Sequence, residues 1–366
     1  MKIVGLDVYE HLLSYAHGQY AMSGGRVATH QASTLVRVRT DEGVDGWGEC
    51  CPLGGTYLPD FPNGVRAAIA ELGPGLIGLD PRHTAVVQAR MNAALLGARG
   101  GKSAVDIACW DILGKAANQP VSMLLGGVLQ EDFPLYEAVP LAEPHQMAEF
   151  IAARREAGIT CFQVKVGNDP HDDARRAAAA VEAGGQSRLI CDANGGWRLN
   201  DAIIAAHAMA DLPIHLEQPC RTTADSARVR QVTTLPLVMD ETVVTPADLY
   251  EAKAQVGAGA VNLKLGRLGG IGPSRLMRDL AVGLGMTVSI EDTWGGDIVT
   301  AAVAHLAATT EADDLLSVSF FNDWTNEHVA TARPTSNAGR GRATTAPGLG
   351  VEVDVAALGE PLFTVG

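Results

Sequence analysis

Five short segments decide the architecture: FQVKVG (162–167), LICDAN (189–194), IHLEQP (214–219), LVMDE (237–241) and VNLKLG (261–266). Each is a brief apolar run that delivers one polar residue at or near its end, namely Lys165, Asp192, Glu217, Asp240 and Lys264, in steps of about 25 residues. A strand–loop–helix unit has that length when eight units make about 250 residues. The five polar groups therefore belong to one rim of a parallel barrel, on its second through sixth strands.

On either side of this stretch the alternation continues. PLYEAVP (134–140) reads as a preceding strand, and MTVSIED (286–292) and LLSVSFF (315–321) as two following ones, with helical patterns such as PHQMAEFIAARREAG (144–158) between strands. Repeated βα alternation demands a parallel sheet, and eight strand positions favour closure. Upstream, MKIVGLDVYEHL (1–12) and ASTLVRVRTDEGVDGWGEC (32–50) read as three strands, with a glycine-bearing mobile loop expected over 15–30. Helical patterns follow, the last being the apolar SAVDIACWDILGKAANQ (103–119) with Ser103 as its expected N-cap. The fold class is thus α/β, a (β/α)8-type modified TIM barrel with an N-terminal α+β capping domain. Its divisions are 1–125 for the cap, 126–322 for the barrel, and 323–366 for a segment returning to the cap.

Bulk composition narrows the function classes. A formal net charge of −14 argues against a nucleic-acid surface, which needs a basic stripe. Apolar residues make up 47% of the chain, yet no window approaches the length of a membrane span. The N-terminus lacks the pattern of a signal peptide, so a cytoplasmic protein is expected. The six cysteines show no C-x-x-C pair, and Cys161 and Cys191, in apolar strand contexts, read as buried small hydrophobes in a reducing compartment.

Three carboxylates on successive strand ends must share a cation or take up protons. Any one of Asp192, Glu217 and Asp240 alone could be an ordinary solvated strand end, but three in register argue otherwise. Hard oxygen ligands suit Mg²⁺, with Mn²⁺ as the alternative. Asn194 could orient Asp192 or a metal-bound water, and Glu241 could pair with a lysine or equally be structural. Lys165 and Lys264, on the second and sixth strands, would face each other across the barrel mouth. Next to a cation and away from solvent, a lysine pKa should fall toward neutrality, leaving one amine to take a proton from carbon and one ammonium to return it. The substrate is then a small-molecule carboxylate, activated at its α-carbon.

These motifs resemble the enolase superfamily, in its muconate lactonizing enzyme-like branch, over essentially the whole chain. A lysine or histidine base beside Mg²⁺ is a known property of that superfamily and not something the spacing shows. The branch commonly carries K-x-K on the second strand. Here the first lysine is replaced by Gln163, expected to contact substrate, and the second is Lys165. SIEDTWGGDIVTAA (289–302) and GGTYLP (54–59) are similar to segments of the proline-betaine and hydroxyproline-betaine 2-epimerases. The resemblance implies that Tyr57, Asp292, Trp294 and Asp297 bind substrate. The segment FFNDWTN (320–326) departs from that pattern. Phe320 and Trp324 could complete an aromatic cage for a substrate ammonium, or pack the domain interface. A homo-oligomer is expected of this branch.

The expected activity is a Mg²⁺-dependent racemase or epimerase of a proline-like amino acid or betaine. The alternative is a dehydratase of a hydroxylated acid such as hydroxyproline or a sugar acid, or a cycloisomerase. A dipeptide epimerase would show D-x-D where this chain has Asp292-Thr293-Trp294. A metal-binding scaffold would have no use for two facing lysines.

Overall fold

The computed structural model describes residues 1–366. The capping domain is built on an antiparallel sheet of β1 (Ile3–Ser14), β2 (His30–Thr40) and β3 (Gly46–Cys50). Its helices are α1 (Pro62–Leu72), α2 (Thr84–Ala94) and α3 (Arg99–Ala117). Alternate strand residues such as Leu6, Val8, Val36 and Val38 pack with Ile69, Val105 and Ile112 in a separate apolar core. Strand β3 lies against α3 because it carries Gly48, whose missing Cβ would collide with the carbonyl of Ala104.

Eight parallel strands follow in sequential order: β4 (Tyr136–Val139), β5 (Cys161–Lys165), β6 (Arg188–Asp192), β7 (His215–Glu217), β8 (Leu237–Met239), β9 (Ala260–Lys264), β10 (Thr287–Glu291) and β11 (Leu315–Val318). A parallel bridge between Leu135 and Val318 joins the first strand to the last. The helices α4 (Pro144–Glu156), α5 (Pro170–Gly184), α6 (Leu199–Ala208), α7 (Thr223–Arg230), α8 (Pro246–Glu251), α9 (Ile271–Gly283) and α10 (Asp297–Ala308) cover the outside. Outward residues such as Val164, Cys191, Leu216, Met239, Leu263 and Ile290 join the helices in the main core. A strand alternates faces at every residue, so their neighbours Lys165, Asp192, Glu217, Asp240, Lys264 and Glu291 turn inward.

Register then levels the rim. Lys165 pairs with Asp192, Asp192 with Glu217, and Lys264 with Glu291. The C-terminal strand β12 (Phe363–Val365) pairs with β1 and adds a fourth strand to the cap sheet. No helix is long and apolar enough to cross a membrane, and all six cysteines are buried and free.

Two local expectations are corrected. Helix α3 begins at Arg99, so Ser103 lies a turn inside it, buried and not capping. The glycines ahead of Ser103 are helical because they press against α1: a Cβ at Gly101 would meet Ala68. The 15–30 segment carries a short hairpin, Tyr20–Ala21 on Val27–Ala28, with Tyr15, Tyr20 and Met22 buried.

Gly48→Ala should destabilise the chain by about 2 kcal/mol or more, since backbone lies where its methyl must go. A lowered denaturant midpoint at unchanged slope checks this; an unaltered midpoint contradicts the packing described.

Candidate active site

The rim is a ring of buried charge. The Lys165 ammonium donates to Asp192 Oδ2 at 2.6 Å. Across the barrel, Lys264 Nζ lies 2.8 Å from Asp240 Oδ2 and 3.1 Å from Glu291 Oε1. Arg267 forms a further buried ion pair with Asp240. Gln163 Nε2 donates to Glu217 Oε2 at 3.0 Å, and Asn262 Nδ2 bridges Glu217 and Glu291 at 3.0 and 2.6 Å. Asn194, at φ 48°, folds back so that its backbone N–H and its Nδ2 both donate to Asp192 at 2.8 Å, and Nδ2 also reaches Glu241 at 3.0 Å. Asparagine is among the few residues that take this left-handed conformation readily.

Burial makes these charges interact strongly. It pushes the Glu217 carboxyl well above the ordinary range, and the Asp192 and Asp240 carboxylates push it further. Burial also opposes ionisation of Asp240, but Arg267 and Lys264 outweigh it and hold that carboxyl below its usual range. Glu241 is raised to about 7 by burial and by Asp240 and Asp192. Burial disfavours the Lys165 ammonium, yet Asp192, Tyr20 and Glu217 outweigh it and the pKa stands above its ordinary value.

The strand ends of Asp192, Glu217 and Asp240 are adjacent, but their carboxylates do not converge on one point. Each is turned onto a lysine, arginine or amide. The donor set nevertheless fits a divalent cation. Five carboxyl groups, Asp192, Glu217, Asp240, Glu241 and Glu291, face only three cations, Lys165, Lys264 and Arg267, so they cannot all ionise in this buried setting without a further cation. Oxygen ligands carrying that excess suit a hard dication. Asp192, Glu217 and Asp240, on successive strands, would hold it.

The space between the lysines is lined by Tyr20, Met22, Tyr57, Tyr136, Gln163, Lys165, Asn194, Lys264, Glu291 and Phe321 and has room for roughly one water. A proline-sized molecule enters only if the capping segments bearing Tyr20, Met22 and Tyr57 move outward. Tyr57 closes the chamber over the sixth strand: its hydroxyl donates to Asp240 Oδ2 at 3.1 Å and accepts from Lys264.

Several residues named from the sequence lie elsewhere. The Asp292 carboxylate accepts from the Gly266 N–H at 3.1 Å and the Thr293 N–H at 2.6 Å, so it braces the loop after Lys264; Glu291 is the carboxylate on the chamber wall. Asp297 accepts from the N–H groups of Val329 and Ala330 at 2.9 and 3.1 Å and from Asn322, which ties down the C-terminal segment. Phe320 packs outward on Phe133, and Phe321 takes the inward position. Trp294 and Trp324 form an aromatic cluster with Tyr15, Tyr20 and Phe321, with Trp294 and Phe321 centroids 5.3 Å apart. They back the chamber wall and do not face the cavity. Strand alternation contained a signal for Asn262 and Glu291, which are inward positions on β9 and β10. The same alternation marks Tyr136 on β4, whereas Arg267 had no signal, because only packing turns it toward the ring.

Comparison with known proteins agrees with this architecture. Residues 16–126 match the mandelate racemase/muconate lactonizing enzyme N-terminal domain, and residues 146–357 match the enolase C-terminal domain-like family. The chain belongs to the enolase superfamily, in its muconate lactonizing enzyme-like branch. Among its relatives is a cis-3-hydroxy-L-proline dehydratase of Roseibium aggregatum, 41% identical over 99% of both chains. An N-succinyl-L-Arg/Lys racemase of Bacillus cereus is 29% identical over 97% of this chain and 96% of its own. A mandelate racemase/muconate lactonizing enzyme structure from Roseovarius nubinhibens, complexed with magnesium, superposes with a TM-score of 0.97 at 33% identity over the whole of both chains.

Glu217→Gln and Asp240→Asn should each weaken Mg²⁺ binding by about tenfold or more, as loss of a charged oxygen ligand does. Isothermal titration calorimetry checks this, and undiminished affinity in both variants removes these residues from the metal site.

Proposed function

We propose that this enzyme is a lyase that dehydrates a 3-hydroxylated cyclic imino acid, with cis-3-hydroxy-L-proline as the leading substrate. The observation that carries this reading is the pair of buried lysines on opposite strands of one small chamber. The 41% identical dehydratase, aligned along the entire chain, supports the substrate class. Mg²⁺ held by Asp192, Glu217 and Asp240 would supply Lewis-acid stabilisation of charge developing on the substrate carboxylate.

Stereochemistry makes two lysines useful. In cis-3-hydroxy-L-proline the C3 hydroxyl lies on the same ring face as the carboxylate, and the α-hydrogen lies on the other. One lysine, as the neutral amine, takes the α-proton. The other, as ammonium on the opposite face, gives a proton to the departing hydroxyl. The C3–O bond breaks, water leaves, and the resulting enamine tautomerises to a cyclic imine. Each proton transfer of this kind contributes about 10²–10⁴-fold. Glu291, on the wall beside Lys264, is the carboxylate placed to receive the ring ammonium, while Tyr20, Met22, Tyr57 and Phe321 exclude water.

Racemisation is the second reading, favoured by the 29% identical racemase. It uses the same carbanion, with the ammonium proton delivered to C2 instead of the C3 oxygen. The two outcomes therefore compete at one branch point.

Incubation of cis-3-hydroxy-L-proline with the Mg²⁺-loaded enzyme should yield a cyclic imine detectable with an aromatic amino-aldehyde. In D₂O, deuterium at Cα of recovered substrate or its epimer measures the competing branch. Absence of both the imine and deuterium incorporation would rule out this substrate. Lys165→Ala and Lys264→Ala should each cut dehydration by about 10³-fold or more. Glu291→Gln should raise KM more than it lowers kcat.

A further inference from the structure

Most outer barrel helices begin with a local cap. Helix α5 uses Asp169, α7 uses Thr222, α8 uses Thr245, and α4 opens with a capping box at Glu143. Helices α9 and α10 differ. Each has a glycine at the N-cap position, Gly270 and Gly296, and neither glycine has a side chain to offer. These two helices follow the strands that carry Lys264 and Glu291.

Their caps come from the other domain. Glu49, at the end of β3 and fully buried, accepts from the N–H groups of Gly296, Ile298 and Val299 at 2.8, 3.1 and 3.0 Å. Ser33 on β2 donates to the same carboxylate at 2.7 Å and fixes it. Asp106, on α3 and 2% exposed, accepts from the Gly272 N–H at 3.1 Å. Gly270 has φ 117°, and a Cβ there would overlap the Asp106 carboxylate, so the loop is drawn tight onto the cap. Strand β3 and α3 are themselves locked together at Gly46 and Gly48. Both carboxylates therefore belong to one stiff block of the capping domain.

Lys264 and Arg267 lie just before the Asp106 anchor in the chain, and Glu291, Asp292 and Trp294 just before the Glu49 anchor. The Lys165–Asp192–Asn194 side of the rim has no such link to β3 or α3.

We propose that Glu49 and Asp106 are positioning residues: through two cross-domain helix caps, the β3–α3 block sets the geometry of the Lys264 half of the active site, whereas the Lys165 half meets the capping domain through other residues, Ser23 and Tyr20. Neither residue touches the chamber. The role rests on the two-lysine reading above, in which the two epimers of an imino acid present the α-hydrogen to opposite lysines.

The test uses Glu49→Gln and Asp106→Asn in the full chain, with Asp111→Asn as the comparison. Asp111 is an equally buried carboxylate on α3 that accepts from the N–H groups of Trp47 and Leu349 at 3.0 and 2.9 Å, away from both loops. Deuterium wash-in at Cα is followed separately for each epimer. The positioning variants should slow exchange of one epimer about tenfold more than the other, whereas Asp111→Asn lowers the melting temperature and treats both alike. Amide hydrogen exchange read by mass spectrometry gives a second, activity-free readout. Residues 293–301 in Glu49→Gln and 265–274 in Asp106→Asn should exchange about tenfold faster, with 189–194 unchanged.

Ser33→Ala, which loosens Glu49 without removing it, should act in the same direction more weakly and covers the case in which a charge variant fails to fold. Equal slowing of both epimers, or amide exchange indistinguishable from Asp111→Asn, overturns the proposal. If the wild-type chain exchanges neither epimer, the two-lysine reading fails and the local amide-exchange result alone decides whether the caps hold these loops.

Discussion

A surplus of buried negative charge on one barrel rim is the constraint on which the site depends. Five carboxyl groups from four strand ends, Asp192, Glu217, Asp240 with Glu241, and Glu291, are held beside two lysines and one arginine in a space closed to bulk water. In so weakly screened a setting each unpaired charge costs several kcal/mol, and the ring is tolerable only if its members neutralise one another or a cation does so. Part of the charge is met within the ring, with Lys165 on Asp192 and Lys264 shared between Asp240 and Glu291, and the remainder calls for protons or a cation. The same crowding that makes the ring a good home for a dication also ties Lys165 to it, since Asp192 and Glu217, which support its ammonium form, are carboxylates a metal would claim.

The chamber is completed from outside the barrel. Tyr20, Met22 and Tyr57 come from capping-domain segments and cover a cavity otherwise open at the strand ends. Tyr57 does so by direct contact with Lys264 and Asp240, so the cover and the charge ring are one hydrogen-bonded unit. Deeper in the interface, Glu49 and Asp106 finish barrel helices that have no cap of their own. The capping domain is thus attached where the chemistry would take place.

Some expectations changed for reasons that are local and physical. Asp292 looked like a substrate contact because it sits in a recognisable segment, but its carboxylate is consumed by two backbone N–H groups, and the inward position one residue earlier belongs to Glu291. Phe320 packs outward on Phe133, while Phe321, which opens a 3-10 turn after the strand ends at Val318, takes the inward position. Asp297 serves the C-terminal segment, whose N–H groups would otherwise be buried without acceptors.

What the sequence determined by itself was periodic. Strand spacing and helix pattern announced the barrel and its cap, and the polar residues ending the strands identified the metal carboxylates and the two lysines as candidates, since chain order in a parallel barrel maps directly onto position around its rim. What only the tertiary structure decided was which side chains spend their hydrogen bonds on one another. Arg267 on Asp240, Tyr136 on Glu291, and Glu49 on a helix more than two hundred residues away in the chain are contacts between elements far apart in sequence. No local pattern encodes them, because they arise only when two domains are pressed together and every buried polar group must find a partner.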